Sequence, residues 1–284
     1  MSMQTHETIG SLRSQIVQAR RFGRRIGLVP TMGALHAGHV SLIQAARREC
    51  DTVVVSIFVN PTQFGPHEDL ARYPRTPQQD LQMCHQAGVD LVFMPSVAEM
   101  YPAPSATEVN VPALAGRLCG ISRPWHFAGV CLAAAKLFNI VQPDVAYFGA
   151  KDFQQAIIIR RMAQDLNFPI RIVICPTVRE ADGLAMSTRN SYLSPAERQA
   201  APGLYESLQI AREMILQRQP PAGEVIQAIR DHLARRAPGG QIDYVRLANP
   251  DTLEDVEKTE PPVLAALAVK LGSTRLIDSV LVDR

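Results

Sequence analysis

Apolar positions recur along the chain in two alternating periods. From Leu12 to Phe22 they fall at helical spacing and stop at Gly23, and Ile26–Val29 is then a short continuous apolar run that suits a buried strand. The helical period returns from about Gly38 to Cys50, and the β-branched run Thr52–Val59 suits a central parallel strand. A polar loop rich in proline and charge extends from Asn60 to Arg75, long enough for a functional role. The alternation then continues with a helix from about Pro77 to Ala87, a strand Val89–Met94, a helix Phe127–Ile140, a strand Val145–Phe148, a helix over 152–166 and a strand Ile170–Ile174.

This alternation predicts a parallel sheet covered by helices on both faces, an α/β, Rossmann-like doubly wound architecture. Ligands of such sheets bind beyond the carboxyl ends of the strands. The polar segments 30–39, 60–75 and 149–155 each follow a predicted strand, so all three are expected on that one edge. After about Pro176 the rhythm changes: helices near 196–218 and 222–236 precede apolar runs at Ile242–Leu247, Leu264–Leu271 and Leu276–Val282. That order predicts a smaller C-terminal α+β domain, with a division expected near 180, into 1–180 and 181–284.

Composition narrows the function classes. The 284 residues, 46% of them hydrophobic, supply an ordinary folded core, and 29 basic residues against 27 acidic ones leave a net charge of +2. Nothing global draws the chain to nucleic acid or an anionic membrane, so anion recognition must be local. The five cysteines are odd in number, widely spaced and without a CxxC pair, which fits a reducing cytoplasm. Met1–Gly10 is polar, and no apolar run approaches the roughly 20 residues that span a bilayer, so a soluble cytoplasmic protein is expected.

Three segments carry candidate chemistry, the first two at strand-to-helix junctions and the third at the domain junction. In Pro30–His39 (PTMGALHAGH), two imidazoles three residues apart sit in a glycine-bearing turn at a helix start, a layout suited to a phosphate chain. Zinc proteases space two helical histidines by four with an adjacent Glu; here the spacing is three, Gly38 intervenes and no acid lies between, so no metal site is assigned. In Phe148–Gln155, Gly149 allows close backbone approach, Lys151 can reach a phosphate, and Asp152 can cap the helix or help hold a magnesium ion; a solvated cap reads these residues equally well. In Met186–Asn190, hydroxyls beside an arginine suit triphosphate oxygens, whereas composition alone favours a polar linker. Gln63 and Gln155 could orient a carboxylate by hydrogen bonds without a counter-charge, leaving it nucleophilic.

Taken together, PTMGALHAGH (30–39), FVNPTQFGPHEDLARYPR (58–75), SRPWHFAGV (122–130), KLFNIVQPDVAYFGAKDFQQ (136–155) and VREADGLAMSTRN (178–190) closely resemble the pantothenate synthetase, or pantoate:β-alanine ligase, family. The resemblance covers most of the first 195 residues in order, and the tail fits the family's smaller C-terminal domain. It implies the nucleotidyltransferase superfamily fold, with residues 1–180 binding ATP and pantoate and 181–284 forming a lid and substrate domain. It also implies a homodimer and an ATP- and Mg2+-dependent condensation of pantoate with β-alanine through a pantoyl adenylate, releasing AMP and diphosphate.

Carried over onto matching positions, the resemblance makes His36, His39, Lys151 and Arg189 catalytic, His39 foremost. The ATP site would comprise Met32, Gly33, Ala34, Leu35, His36, Ala37, Gly38, His39, Gly149, Ala150, Lys151, Asp152, Val178, Met186, Ser187, Thr188 and Arg189. Gln63 and Gln155 would hold pantoate, Gln63 would also meet β-alanine, and Asn60 would line the same pocket. The chain departs from the family pattern at Ala150, where Glu is usual, at Trp125, where Gly is usual, and at Ala128, often polar. Two other readings stand beside the ligase: a nucleotidyltransferase acting on a phosphate-bearing acceptor, which would need basic residues where Gln63 and Gln155 stand, and a non-catalytic nucleotide-binding module.

Overall fold

Residues 3–66 and 68–283 are described by the computed structural model of the chain. In chain order they form β1 (Gln4–His6), α1 (Ile9–Arg21), β2 (Ile26–Thr31), α2 (Ala37–Arg47), β3 (Thr52–Ile57), α3 (Pro77–Gln86) and β4 (Leu91–Phe93). Three short helices follow, α4 (Val97–Met100), α5 (Pro112–Ala115) and α6 (Cys119–Ser122). Then come α7 (His126–Val141), β5 (Val145–Gly149), α8 (Phe153–Asp165), β6 (Arg171–Cys175), α9 (Pro195–Ala200), α10 (Gly203–Arg218), α11 (Ala222–Arg236), β7 (Gln241–Ala248), β8 (Val263–Leu271) and β9 (Thr274–Val282). Packing separates the chain into two units. One runs up to Ala115 and includes Arg123–Ala150 and Gln155–Pro176; the other holds Gly116–Ser122, Lys151–Gln154 and everything from Thr177 onward.

In the first unit, the described residues form a six-stranded sheet in the order β1-β4-β3-β2-β5-β6, with every neighbouring pair parallel. Every residue of β3 is buried, as is all of β2 but Pro30, which is what strands covered on both faces require. One face is explicit: Val53, Val55 and Ile57 of β3 share a buried cluster with Leu42, Ile43 and Ala46 of α2 and Cys84 of α3. Chain order moves outward from β2 through β3 to β4 on one side and from β5 to β6 on the other. The order therefore reverses between β2 and β5, where doubly wound sheets open a crevice for ligands.

The alternation expected from the sequence is present, with the short helices α4, α5 and α6 added and two further differences. β1 is a polar Gln-Thr-His strand that joins the sheet edge by pairing with β4, and no apolar period announces it. The single helix expected over 196–218 is two, α9 and α10, because Pro202 has no amide to continue the ladder and instead stands as the N-cap of α10.

In the second unit, the antiparallel sheet β7-β8-β9 is buried against α10 and α11. Leu204, Leu208, Ala211 and Ile215 of α10 and Val225, Ile229 and Leu233 of α11 fall at helical spacing and share a core with Val263, Ala265, Leu267 and Val269, the alternate positions of β8.

Candidate active site

The turn leaving β2 is held by a carboxylate from elsewhere in the chain. Asp80, in the first turn of α3 and 2% exposed, accepts from the amides of Ala34 (3.0 Å) and Leu35 (2.8 Å). It thereby fixes a bend in which Gly33 and Ala34 both have positive φ (80° and 48°). Glycine is required at 33 on two counts, since a Cβ there would also press on Asp80 and Ile57 at 3.0 Å.

The two histidines then cap α2 reciprocally. The amide of Gly38 donates to Nδ1 of His36 (3.1 Å) and the amide of His36 donates to Nδ1 of His39 (3.2 Å), with the rings 4.1 Å apart. A backbone amide can only donate, so both Nδ1 atoms are acceptors and each neutral ring carries its hydrogen on Nε2. The amides of Gly33, His39 and Val40 are engaged as well, by Thr31 Oγ1 and by the His36 carbonyl. Two amides at the helix N-terminus are thus answered by its own histidine rings. The sequence reading expects ring N–H groups and the helix N-terminus side by side; what it does not show is that the two rings cap the helix themselves.

The loop after β3 carries Gln63 at the end of a 3-10 turn, Pro61–Gln63. Asn60 is 1% exposed and fully committed: Oδ1 accepts from Thr62 (3.3 Å to the amide, 2.9 Å to Oγ1) and from the Tyr101 hydroxyl (2.9 Å), while Nδ2 donates to the Gly129 carbonyl (3.1 Å). Its side-chain amide therefore braces the loop that carries Gln63. Gln63 is half-buried, and its own carbonyl accepts from Arg123 (3.1 Å) and from His126 Nδ1 (2.8 Å).

β5 ends at Gly149, beside which a Cβ would meet nothing within 4 Å, so no described neighbour crowds that strand end. Ala150 opens the 3-10 turn to Asp152, and Gln155 is half-buried in the first turn of α8. Ala128 lies half-buried in the first turn of α7. Within the first unit, His36, His39, Gln63, Gly149, Ala150 and Gln155 therefore all follow the carboxyl ends of β2, β3 and β5, adjacent strands at the point of reversal.

In the second unit, Gln154 is a tie, accepting from the Cys119 amide (3.0 Å) and donating to the Arg117 carbonyl (2.7 Å). Lys151 lies 3.6 Å from Asp152, the lysine mostly buried and the aspartate half-exposed. The segment 178–190 is a braced loop. The Met186 amide bonds the Val178 carbonyl (3.0 Å), Arg179 bridges to Ala185, and Ser187 accepts from the Arg189 amide (3.3 Å) ahead of a 3-10 turn, Thr188–Tyr192. Arg179 grips Asp278 by two bonds (2.6 and 3.0 Å), bonds the Gly183 carbonyl (3.1 Å) and stacks 3.6 Å above Tyr205. Burial pushes the Asp278 carboxyl above its usual range, and Arg179 opposes that rise. The predicted ATP residues Val178, Met186, Ser187, Thr188 and Arg189 are brought together here.

Comparison with known proteins decides the family. The model of the family described as pantoate-beta-alanine ligase matches residues 4–281. The chain belongs to this family. Pantothenate synthetase of Moorella thermoacetica is 53% identical over 281 residues, covering 99% of each chain, and that of Acetivibrio thermocellus is 52% identical, covering 99% of this chain and 100% of the relative. Among solved structures, the pantothenate synthetase of Thermus thermophilus matches with a TM-score of 0.94 and 44% identity, over 99% of this chain and 100% of that one. The Francisella tularensis pantoate-beta-alanine ligase, solved with beta-gamma ATP and beta-alanine, gives 0.80 and 33%, over 98% and 97%. These likenesses carry the fold class read from the sequence, a parallel Rossmann-like sheet with a small C-terminal domain.

Three groups of the ligase chain escaped sequence reasoning: Asp80, the Arg179–Asp278 pair, and Arg123 with His126. Asp80 reads in sequence as an ordinary acid in the first turn of a helix. Nothing local says that it reaches back to Ala34.

Proposed function

We propose that the chain condenses pantoate with β-alanine at the expense of ATP, passing through pantoyl adenylate. The observation that carries this reading is the reciprocal histidine cap at the sheet's point of reversal, which sets the hydrogen of each ring on Nε2. A phosphate chain laid across that helix start meets ring N–H groups that the backbone has polarised. Family membership supplies the substrates.

The carboxylate of pantoate is unreactive toward an amine until its oxygen is made a leaving group. Gln63 and Gln155 orient it through amide hydrogen bonds, which keep its negative charge available for in-line attack on the α-phosphorus. His39 and His36 stabilise the charge that develops on the phosphates, joined by Lys151, Arg189 and Ser187. The bond to diphosphate breaks as the acyl–phosphate bond forms. The free amine of β-alanine, near Gln63, then attacks the acyl carbon and AMP departs with the former carboxylate oxygen, yielding the amide.

Magnesium fits this donor set as a companion of the nucleotide. No three carboxylate, imidazole or thiol groups converge among the described residues, and Mg2+ characteristically takes one or two carboxylates plus phosphate oxygens and water. Asp152 is the protein oxygen we assign to it. When bound, the ion neutralises charge on the departing diphosphate.

We further propose a homodimer in the cytoplasm. The five cysteines are all buried and free, which suits a reducing compartment, and no described helix is long and apolar enough to cross a membrane. Light scattering on the purified chain measures the oligomeric state.

Pantoate-dependent exchange of labelled diphosphate into ATP tests the activation step alone, and AMP release on adding β-alanine tests the second. A chain that binds ATP yet shows neither reaction refutes the proposal. Lys151→Ala is expected to lower turnover by roughly 100-fold to 1,000-fold, the scale for one charge-stabilising group.

A further inference from the structure

The segment 123–126 grips the loop that carries Gln63 at three places. Arg123 forms two bonds of 2.6 Å to the carboxylate of Glu68 and a third to the Gln63 carbonyl, which also takes the Nδ1–H of His126. Between them stands Trp125, the chain's single tryptophan, whose ring lies so close over Gly65 that a Cβ at 65 would fall inside its envelope. A similar close approach occurs one turn along α7, where Gly129 leaves room for the Thr62 carbonyl. Arg123 and Glu68 are largely buried, with side chains 16% and 23% exposed, so the bidentate pair is poorly screened and geometrically specific. Burial works against the Glu68 charge, but Arg123 holds its carboxyl below the usual range and the pair stays ionised at neutral pH.

We infer that Arg123, Trp125 and His126 are positioning residues for the carboxylate substrate: they hold the backbone of Gln63, and through it the orientation of its amide, without touching substrate. Two donors on one carbonyl leave the Gln63 peptide little rotational freedom, and Trp125 on Gly65 prevents the loop from lifting. An amide turned away from the carboxylate it binds loses its hydrogen bonds to that ligand, so this grip sets affinity for pantoate while leaving the nucleotide's binding alone. The inference rests on the role proposed above for Gln63.

The test exploits the single tryptophan and the missing Cβ. Gly65→Ala has no positive φ to violate and acts through space alone. It is expected to raise KM for pantoate roughly tenfold, with KM for ATP within about twofold of wild type. The double variant Gly65→Ala/Trp125→Gly makes room for the new methyl group and is expected to recover most of that loss. Arg123→Lys, which keeps the charge and loses the fork, is expected to raise the pantoate KM similarly. Equal movement of the pantoate and ATP constants, or a double variant no better than Gly65→Ala, overturns the inference. Should the wild-type chain lack pantoate-dependent exchange, the functional reading falls instead. The grip is then read from Trp125 emission, which must shift to the red in Gly65→Ala; an unshifted spectrum overturns it.

Discussion

The amide of His36 donates to Nδ1 of His39, and this one bond fixes which nitrogen of the neutral His39 ring carries the hydrogen. Asparagine reproduces the Nδ1 acceptor without the distal N–H; glutamine reaches the distal position without the acceptor near the backbone. His39→Asn is therefore expected to keep the cap and the thermal midpoint while losing roughly 100-fold to 1,000-fold in turnover. His39→Gln is expected to lose stability by about 1 kcal/mol, the scale of a lost cap, and to retain more activity than the asparagine variant. Melting curves and exchange rates on the two variants separate the roles; equal activity in both would contradict the assignment of Nε2 as the working donor.

Asp80 offers two carboxylate oxygens to two amides of the same turn. An asparagine can accept through one oxygen only and turns its NH2 toward the second amide, leaving a buried donor unanswered. Asp80→Asn is expected to cost about 1–3 kcal/mol in urea unfolding and to depress the exchange rate, because the turn it holds leads directly into His36. Unchanged exchange in a folded Asp80→Asn chain would show that the turn keeps its shape unaided.

How much of this was legible beforehand follows from what each interaction depends on. β2, β3 and β5 are read from apolar runs because a strand covered on both faces needs apolar side chains at every position. The paired histidines are read from a motif because cap and turn are local. β1 is invisible, since three polar residues join the edge through backbone pairing alone. Asp80, Arg123 and Asp278 escape for a related reason: each acts on residues 46, 60 or 99 positions away, and one sequence records a charge there without its partner. The bracing role of Asn60 escapes as well, because its four bonds to Thr62, Tyr101 and Gly129 include partners 41 and 69 positions away.

The Arg179–Asp278 pair gives a third prediction. Asp278 is buried at 3% exposed and Arg179 largely so at 15%, so removing one leaves the other charged in a poor solvent. Asp278→Ala is expected to destabilise the chain by about 3–5 kcal/mol. Replacing both by apolar residues of similar volume, Arg179→Met with Asp278→Leu, is expected to restore most of that loss in urea unfolding. The same double variant loses the bond from Arg179 to the Gly183 carbonyl and its stacking on Tyr205, so the 178–190 loop is expected to become more mobile. A stable chain with poor turnover is the expected outcome. A double variant as unstable as Asp278→Ala would mean that the pair itself contributes the stability.

A fourth prediction concerns acid stability. Glu206 on α10 accepts from Arg236 at 2.7 and 2.8 Å and faces His232 at 3.0 Å, both on α11. The Arg236 bonds hold its carboxyl down at about 2 against an ordinary 4.5, with burial opposing and His232 assisting. A folded-state value below the unfolded one means that the unfolded chain binds the proton first, so stability falls as pH falls. The contribution is complete above 4.5 and disappears as pH drops toward 2. Glu206→Gln should therefore lower the urea midpoint at pH 7, with the gap from wild type narrowing between pH 4.5 and 2. Since Glu206 is over a third exposed, 1 M salt should shrink the pH 7 gap as well. A gap that is independent of pH would assign the effect to packing of the side chain on α11 instead of its charge.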